Sequence, residues 1–322
     1  MIMNMVQAIN SALRQEMERD ETVIVLGEDV GKNGGVFRVT EGLWQKFGED
    51  RVVDTPLAET GIIGTSIGLA VNGFKPVAEI QFDGFSLTTL DQLSNHAAKI
   101  RNRSRGRFNC PLVLRIPSGG GIRALEHHSE SPEVHFAHTP GLKVVVPSSP
   151  YEAKGLLISA IRDPDPVVYL EPKRVYRAIK EEVPEESYTL PFEAKVVQEG
   201  NDLTVVSYGA MLKIVREAVE KMNEKYSVEI IDLRSISPID ADAVVDSVKK
   251  TGRAVVVHEA PKSFGVGAEI VAQINENCFL NLEAPVERVC GWDVAIPLPK
   301  LEKYYFADAD RISSAIEKVM NF

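Results

Sequence analysis

The chain has 322 residues, of which 44% are hydrophobic and 25% are charged, and its formal net charge is −10. A chain of this length is typical of two domains that each bury their own core. The acidic balance disfavours non-specific binding to nucleic acid and to anionic membranes, because both attract basic proteins. Cys110, Cys278 and Cys290 lie far apart without a CxxC pair, so neither a disulfide framework nor a cysteine zinc site is expected.

The N-terminal segment MIMNMVQAINSALRQEMERDE places apolar residues at helical spacing, which predicts a helix. Its charged residues exclude both a secretory signal and a membrane span. They are Arg14, Glu16, Glu18, Arg19 and Asp20. We expect a cytoplasmic protein.

Strand-like runs alternate with helical patterns over residues 22–172. The runs are TVIVLG, RVVD, PVAEIQF, PLVLRIP, LKVVVP and PVVYLEP. This alternation predicts an α/β fold with a largely parallel sheet that is covered on both faces. Residues 178–200 are acidic, contain two prolines and lack apolar periodicity, which indicates a linker.

A second α/β series follows the linker. Its strands are predicted at LTVVSYG, SVEIIDL and RAVVVHEA, and its helices near 210–226, 240–250, 265–277 and 308–321. We therefore expect one domain over residues 1–185 and a second over residues 195–322.

One carboxylate, Glu59, stands between the run RVVD and a segment with almost no other polar group. Residues 60–72 carry glycines at positions 61, 64 and 68 among Ile, Leu, Val and Ala, which predicts a helix that is buried on most sides and lets other backbones approach closely. A carboxylate in the first turn of a helix also has a purely structural use, because it complements the free amides and the dipole. Spacing alone leaves a functional and a structural role open.

Longer motifs follow one another in a specific order. They are LGEDVGKNGGVFRVTEGL, DTPLAETGIIG, EIQFDGF, GGGIRALEHHSES, FAHTPGLKVVVPSSPYEAKGLL, DPDPVVYLEPKRVYR, DLRSISPID, GRAVVVHEAP and CFLNLEAPVERVCGWD. Over essentially the whole chain they closely resemble the β chain of the E1 component of 2-oxoacid dehydrogenase complexes. LEPKRVYRAIKEEVP and NLEAPVERVCG look most like the branched-chain type. The resemblance implies a pyrimidine-side thiamine diphosphate domain followed by a transketolase C-terminal-like α/β domain.

The resemblance also implies roles for Glu59 and for four residues near it. Glu59 would bond a ring nitrogen of the aminopyrimidine of thiamine diphosphate and so activate the cofactor. Leu57 would touch the cofactor, and Gln81 would lie near the reaction centre. Phe82 and Phe85 would form an aromatic wall against the pyrimidine. A carboxylate suits the activating role because it can share a proton with the ring in an apolar site. For Phe82, an ordinary core position in a strand is the alternative.

His128, in EHHSES, matches the family's His-Ser motif, whose histidine orients the substrate or passes the acyl group to lipoamide. An imidazole suits this work because its pKa lies near neutrality. No role is assigned to His127, nor to Asp83, because relatives commonly place the acidic residue directly before the aromatic one. The remaining histidines are expected to be structural: His96, His135, His138 and His258.

The loop SAIRDPDP at 159–166 resembles, with Leu112, the stretch that holds a structural potassium ion in relatives. Hard oxygen ligands would suit such an ion. The implied metal residues are Leu112, Ala160, Ile161, Asp163 and Asp165. An ordinary Asp-Pro turn is the alternative, and Asp165 stands where relatives often carry asparagine.

Thiamine diphosphate enzymes hold the diphosphate through magnesium that is bound by a Gly-Asp-Gly motif and a downstream asparagine, and no GDG occurs in this sequence. The resemblance therefore implies half of an active site, completed in an α2β2 tetramer by an α chain that supplies the magnesium ligands. It also implies that an E2 lipoyl acyltransferase docks near the C-terminal Phe322. The reaction implied is decarboxylation of a 2-oxoacid of the branched-chain kind, with transfer of the acyl group to lipoyl-E2.

Three alternatives stay open on the sequence. The chain would fit an acetoin or pyruvate dehydrogenase E1 β chain, or another enzyme of the transketolase type. It would also fit a non-catalytic α/β binding subunit, for which no thiamine-dependent activity would depend on Glu59.

Overall fold

Two sheets, one in each half of the chain, organise the computed structural model, which describes residues 1–322. The elements of the N-terminal half are β1 (Ile2–Asn4), α1 (Met5–Arg19), β2 (Val23–Gly27), α2 (Leu43–Phe47), β3 (Val52–Asp54), α3 (Glu59–Val71), β4 (Lys75–Glu79), α4 (Leu90–Asn95), α5 (Ile100–Arg103), β5 (Val113–Ser118), α6 (Glu133–Ala137), β6 (Lys143–Val145), α7 (Pro150–Arg162), β7 (Val167–Pro172) and β8 (Lys180–Glu182). Those of the C-terminal half are β9 (Lys195–Gln198), β10 (Leu203–Ser207), α8 (Met211–Glu220), β11 (Val228–Asp232), β12 (Ser235–Ser237), α9 (Ala241–Thr251), β13 (Ala254–Pro261), α10 (Val266–Cys278), β14 (Glu287–Gly291) and α11 (Ala309–Met320). None of these helices combines the length and the apolar character that a membrane crossing requires.

Both sheets are largely parallel, as predicted. The N-terminal sheet has seven strands in the order β12-β6-β7-β5-β4-β2-β3, of which only β12 runs antiparallel to its neighbour. The C-terminal sheet has five strands in the order β14-β13-β10-β11-β9, of which only β9 is antiparallel. All nine strands predicted from β-branched runs are present. Every residue of β7 is buried, because helices cover both faces of the sheet.

Helices cover the two faces of the N-terminal sheet in pairs. α1 and α7 pack on each other against one face, whereas α3 and α4 pack against the other. The N-terminal helix is confirmed, and its start is fixed by a capping box in which Asn4 and Gln7 bond each other's backbone amides. The four helices predicted for the second half are also present, although α8 ends at Glu220, before the predicted end near 226.

The two halves share structure. β12 comes from the C-terminal half but joins the N-terminal sheet beside β6. The largest apolar cluster has 32 buried residues and includes members of both halves, such as Ile116 and Val256. The halves are therefore packed together through a common core.

The segment predicted as a linker contains two strands. β8 pairs antiparallel with β1, and β9 forms the outer strand of the C-terminal sheet. Every residue of both strands is half-buried or exposed, so their sequences lack the apolar pattern of a covered strand. The linker at about 178–200 stays a prediction, and strands begin and end the stretch that it covers.

Helix α3 is buried on one face only. Its buried residues are Ile62, Ile63, Ser66 and Ala70. Gly61, Thr65 and Gly68 lie on the exposed side of this helix. Within this chain, the prediction of burial on most sides is therefore wrong, and a surface of small and apolar residues stays open.

Candidate active site

The candidate site lies where the winding of the N-terminal sheet changes direction. β2 pairs in parallel with both β3 and β4. The chain runs from β2 to the outer strand β3 and then back across β2 to β4. Ligands of open α/β sheets bind at the carboxyl ends of the strands beside such a change of direction. Glu28 follows β2, Glu59 follows β3, and Gln81 follows β4, so the three side chains stand at one edge of the sheet.

Gln81 and Glu28 bring the ends of β2 and β4 together. The amide Nε2 of Gln81 lies 3.4 Å from the carbonyl oxygen of Glu28 and 3.4 Å from Oδ2 of Asp29. Burial raises the pKa of Glu28, and the negative charges of Asp29 and Glu59 raise it further. Glu28 and Glu59 therefore lie close enough at this edge of the sheet for their charges to interact. Glu28 was not predicted as a site residue, although its position directly after a buried strand could have indicated one.

Glu59 begins helix α3 and is half-buried. The N-cap residue, Ala58, provides no side-chain cap. Thr60 ties the start of the helix to the next segment, because its hydroxyl donates to the carbonyl of Thr88 at 2.9 Å. Leu57, two residues before Glu59, is 70% exposed. The Glu59 carboxylate therefore lies at a helix start that is fixed by the bond from Thr60. The exposed apolar side chain of Leu57 lies two residues before it in the chain.

An aromatic group lies next to these polar residues. The rings of Phe82 and His128 are 4.1 Å apart between centroids, and those of Phe85 and His128 are 5.2 Å apart with their edges turned to faces. Phe82 and Phe85 also meet edge to face, at 6.2 Å, and Phe37 contacts Phe82 at 5.5 Å. The structure therefore brings together Phe82, Phe85 and His128, which lie in two separate motifs of the sequence.

His128 has one ring nitrogen engaged. Its Nδ1 lies 2.7 Å from the carbonyl oxygen of Glu126. A carbonyl oxygen only accepts, so this contact assigns the proton of the neutral ring to Nδ1 and leaves the lone pair on Nε2. The backbone of His127 joins the segment around His128 to the segment after Phe82, because the carbonyl of His127 accepts the amide of Gly84 at 3.2 Å. A Cβ at Gly84 would lie 2.6 Å from that oxygen, so only glycine allows this approach.

Asp83, unassigned from the sequence, forms a buried ion pair with Lys173. The ammonium also donates to the carbonyl of Pro117 at 3.2 Å and lies 5.7 Å from the ring centre of Phe82. Burial raises the pKa of Asp83 to about 6, although the charge of Lys173 opposes the shift. The buried Asp83–Lys173 pair therefore packs against Phe82 and helps to hold its ring in place.

In the loop predicted to bind potassium, cationic side chains hold both carboxylates. Asp163 accepts from Lys143 at 2.7 and 2.6 Å, and Asp165 accepts from Arg101 at 2.6 Å. The carbonyl of Leu112 accepts the amide of Val167 at 2.9 Å, while Ala160 and Ile161 lie buried near the end of α7. No cluster of three or more His, Cys, Asp or Glu residues is arranged to hold a metal ion. The potassium site stays a prediction.

Two family models together match most of the chain. The transketolase pyrimidine binding domain matches residues 2–179, and the transketolase C-terminal domain matches residues 193–312. A solved structure described as "Split gene transketolase, inactive beta4 tetramer" matches with a TM-score of 0.81, covering 99% of this chain and 98% of that one. Its sequence is 21% identical, so this likeness supports the fold alone. Fold and site together define a two-domain protein of the transketolase type.

Closer relatives narrow the family. The chain is 56% identical over 320 residues to the pyruvate dehydrogenase E1 component subunit beta of Acholeplasma laidlawii, covering 99% of this chain and 98% of that one. It is 51% identical over 322 residues to the subunits of the same name from Bacillus subtilis (strain 168) and Staphylococcus aureus (strain N315), covering 99% of each chain. The chain therefore belongs to the family of E1 β subunits of 2-oxoacid dehydrogenases. The expected branched-chain subtype is not supported, because these relatives carry the pyruvate dehydrogenase name, and the pyruvate alternative fits them better.

Proposed function

We propose that this chain is the β subunit of the E1 component of a pyruvate dehydrogenase complex. The observation that carries the proposal is the arrangement at the ends of β2, β3 and β4, where Glu59, Glu28 and Gln81 stand beside the aromatic group. The names of relatives that are 51% to 56% identical over nearly the full length support pyruvate as the substrate. A cytoplasmic location stays a prediction.

The residues of this site fit the aminopyrimidine half of thiamine diphosphate. Glu59 supplies a carboxylate for a ring nitrogen, and Phe82 and Phe85 supply apolar faces against which a flat ring can pack. Leu57, which is open to the outside, would cover the other side. When bound, the cofactor supplies an electron sink for decarboxylation.

The residues of the chain then have distinct tasks. Glu59 holds or accepts a proton at its carboxylate, and its negative charge is one of the causes that raise the pKa of the neighbouring Glu28. The two phenylalanines limit the access of water. The free Nε2 of His128 can accept or donate a proton beside the same rings.

A partner chain is part of the proposal. An α subunit would supply the ligands for magnesium and the diphosphate, and two copies of each chain would form an α2β2 tetramer. The open side of α3, with Gly61, Thr65 and Gly68, offers a surface on which another helix can approach closely. Lipoyl-E2 would receive the acyl group. The C-terminal Phe322, which is 81% exposed, is available for docking of E2.

The test is the activity of the assembled complex. This chain is co-expressed with an E1 α chain that contains a Gly-Asp-Gly motif, and reductive acylation of a lipoyl domain is measured with pyruvate and with 3-methyl-2-oxobutanoate. We expect pyruvate to be preferred at least ~10-fold in kcat/KM, the discrimination that a pocket achieves on aliphatic side-chain size. Preference for the branched acid would reject the subtype. Failure of a well-assembled tetramer to use either acid would reject the function.

A further inference from the structure

Backbone amides at the start of the loop that carries His128 donate hydrogen bonds to carboxylates of the C-terminal half. This loop, residues 119–132, joins β5 to α6. The amide of Gly120 donates to Oε1 of Glu259, on β13. The amides of Gly121 and Arg123 donate to the two oxygens of Glu302 at 2.7 and 3.1 Å. Two glutamates of one half therefore bond three backbone amides within four residues of the other half.

The packing around these amides requires glycine. A Cβ on Gly120 would lie 2.3 Å from the Phe306 ring, and one on Gly121 would lie 2.2 Å from Nε of Arg174. Gly121 also has a φ of +84°, which side chains rarely adopt. The guanidinium of Arg174 lies 4.3 Å from the ring centre of Phe306, so the two side chains form one surface against the loop.

The loop amides are the only hydrogen-bond partners of the Glu302 carboxylate. Glu302 is 5% exposed in a short 3-10 helix, Glu302–Tyr304, far along the chain from the loop. Burial of a carboxylate is costly unless hydrogen bonds replace its water. The two loop amides provide those bonds, and bonds from amides to a charged acceptor are the stronger kind.

Between Arg123 and His127 the only hydrogen bonds lie within the loop, from His128 to the carbonyl oxygens of Leu125 and Glu126. Leu125 is 70% exposed. The next fixed points are the carbonyl of His127, which bonds Gly84, and the carbonyl of Glu130, which accepts the amide of Gly119 at 2.9 Å. The position of the His128 ring against Phe82 thus depends on an anchor at each end of the loop.

We propose that Glu302 and Glu259 are positioning residues, through which the C-terminal domain holds the His128 loop in place for acyl transfer. This inference rests on the proposed function for the role of His128, but the anchoring itself is a property of this chain. It gives the C-terminal domain a part in the reaction beyond the proposed docking of E2.

The test measures the loop directly in the complex assembled with the α chain. Hydrogen–deuterium exchange is followed by mass spectrometry in wild type, Glu302→Ala, Glu302→Gln and Glu283→Ala. Glu283 is the matched control, because it is a glutamate of the same domain whose carboxylate pairs with Arg253 rather than with the loop.

We expect exchange in residues 119–131 to accelerate about 10-fold or more in Glu302→Ala, since both carboxylate bonds are lost. Glu302→Gln keeps one acceptor oxygen and should give an intermediate rate. Exchange in β10 should not change. Acceleration of less than twofold in the loop, or equal acceleration throughout residues 195–322, would overturn the proposal. If Glu302→Ala fails to assemble, Glu302→Gln and Glu259→Gln carry the test.

A second readout separates positioning from general damage. Transfer of the acyl group to lipoyl domain should slow more than decarboxylation with an artificial electron acceptor, and the pH midpoint of transfer should move, while the Kd of thiamine diphosphate should not change. If wild type has no 2-oxoacid activity but the loop still responds to Glu302→Ala, the proposed function fails and the anchor stands. If wild type is active and neither the loop nor transfer responds, the anchor fails and the proposed function stands.

Discussion

Lys173 and Asp83 lie 90 residues apart in the chain and form an ion pair from which solvent is excluded. The charge of Lys173 favours the ionised carboxylate, whereas burial opposes it and raises the pKa of Asp83 to about 6. Because Phe82 lies on one side of the ammonium and Gly84, the residue after Asp83, bonds the carbonyl of His127 in the His128 loop, the pair supports the back of the candidate site.

Lys173→Met should destabilise the protein by about 3–5 kcal/mol at pH 8, because the buried carboxylate loses its partner. The pKa of Asp83 is already raised in the folded protein, and without Lys173 it should rise further. Stability that depends on a raised carboxyl pKa is present at low pH and is lost as pH rises through that pKa. The loss should therefore be smaller at pH 5 than at pH 8 in urea unfolding.

The control for this prediction is Lys143→Met. Lys143 pairs with Asp163 but is partly exposed, with 29% of its side chain accessible. An exposed pair is worth less than about 1 kcal/mol. Equal losses from the two substitutions, or a loss from Lys173→Met that does not depend on pH, would contradict the buried-pair account.

Glu59→Gln keeps the size of the side chain but removes its acidic proton. If Glu59 activates the bound cofactor, decarboxylation with an artificial electron acceptor should fall about 10²- to 10⁴-fold in the assembled tetramer. A purely structural carboxylate at the helix start predicts instead a stability loss of about 0.3–1 kcal/mol and nearly normal turnover. Glu49→Gln, an exposed glutamate beyond α2, is the control and should leave both quantities unchanged.

His128→Ala should slow reductive acylation of the lipoyl domain more than it slows decarboxylation. The ring lies 4.1 Å from Phe82, and its Nε2 is free to exchange a proton, so its removal should affect the step that needs proton transfer. His135→Ala removes an exposed imidazole on α6 and serves as the comparison. Wild-type transfer rates in His128→Ala would remove the residue from the proposed mechanism.

The main strands could be predicted because parallel strands that are covered on both faces appear as runs of β-branched residues. The strands that were missed lack this local signal. β12 is only three residues long, Ser235–Ser237, and is defined by its pairing with β6 in the other half. β8 and β9 lie at sheet edges and carry charged residues. Pairing across the chain, rather than composition, makes these segments strands.

The residues of the candidate site also fall into two groups, those with a local sequence signal and those without one. Glu59, Gln81, Phe82, Phe85 and His128 lie in short motifs, so a family resemblance was enough to propose them. The Asp83–Lys173 pair and the contacts of Glu302 with Gly121 and Arg123 join residues that are 90 to 181 positions apart. No local pattern predicts that a glutamate near the C-terminus bonds the backbone of the His128 loop.

Removal of the last residues should weaken docking of E2. α11 ends at Met320, and Phe322 with its carboxylate stands 81% exposed beyond it. A chain truncated after Met320 should bind the subunit-binding domain of E2 more weakly, as measured by calorimetry, because an aromatic contact and a charge-assisted bond are lost. Decarboxylation by the tetramer should stay normal. Unchanged affinity for E2 would place the docking surface elsewhere.

Glu133→Gln should change how stability depends on pH. Glu133 lies buried between the two halves and accepts the hydroxyl of Tyr208 at 2.8 Å. Burial raises its pKa from 4.5 to about 7. The proton is therefore held in the folded protein up to about pH 7, whereas the unfolded chain releases it near pH 4.5. Stability from this group is present below pH 4.5 and is lost as pH rises through 7, at a cost of about 3 kcal/mol.

Glutamine keeps an acceptor for Tyr208 but does not titrate, so the free energy of unfolding should fall less between pH 5 and pH 8 in Glu133→Gln than in wild type. Urea unfolding of the full chain at several pH values measures the difference. Glu220→Gln changes an exposed glutamate on α8 and should follow the wild-type curve. A Glu133→Gln curve parallel to wild type would show that Glu133 is ionised in the folded protein throughout this range, with Tyr208 and its surroundings compensating for the buried charge.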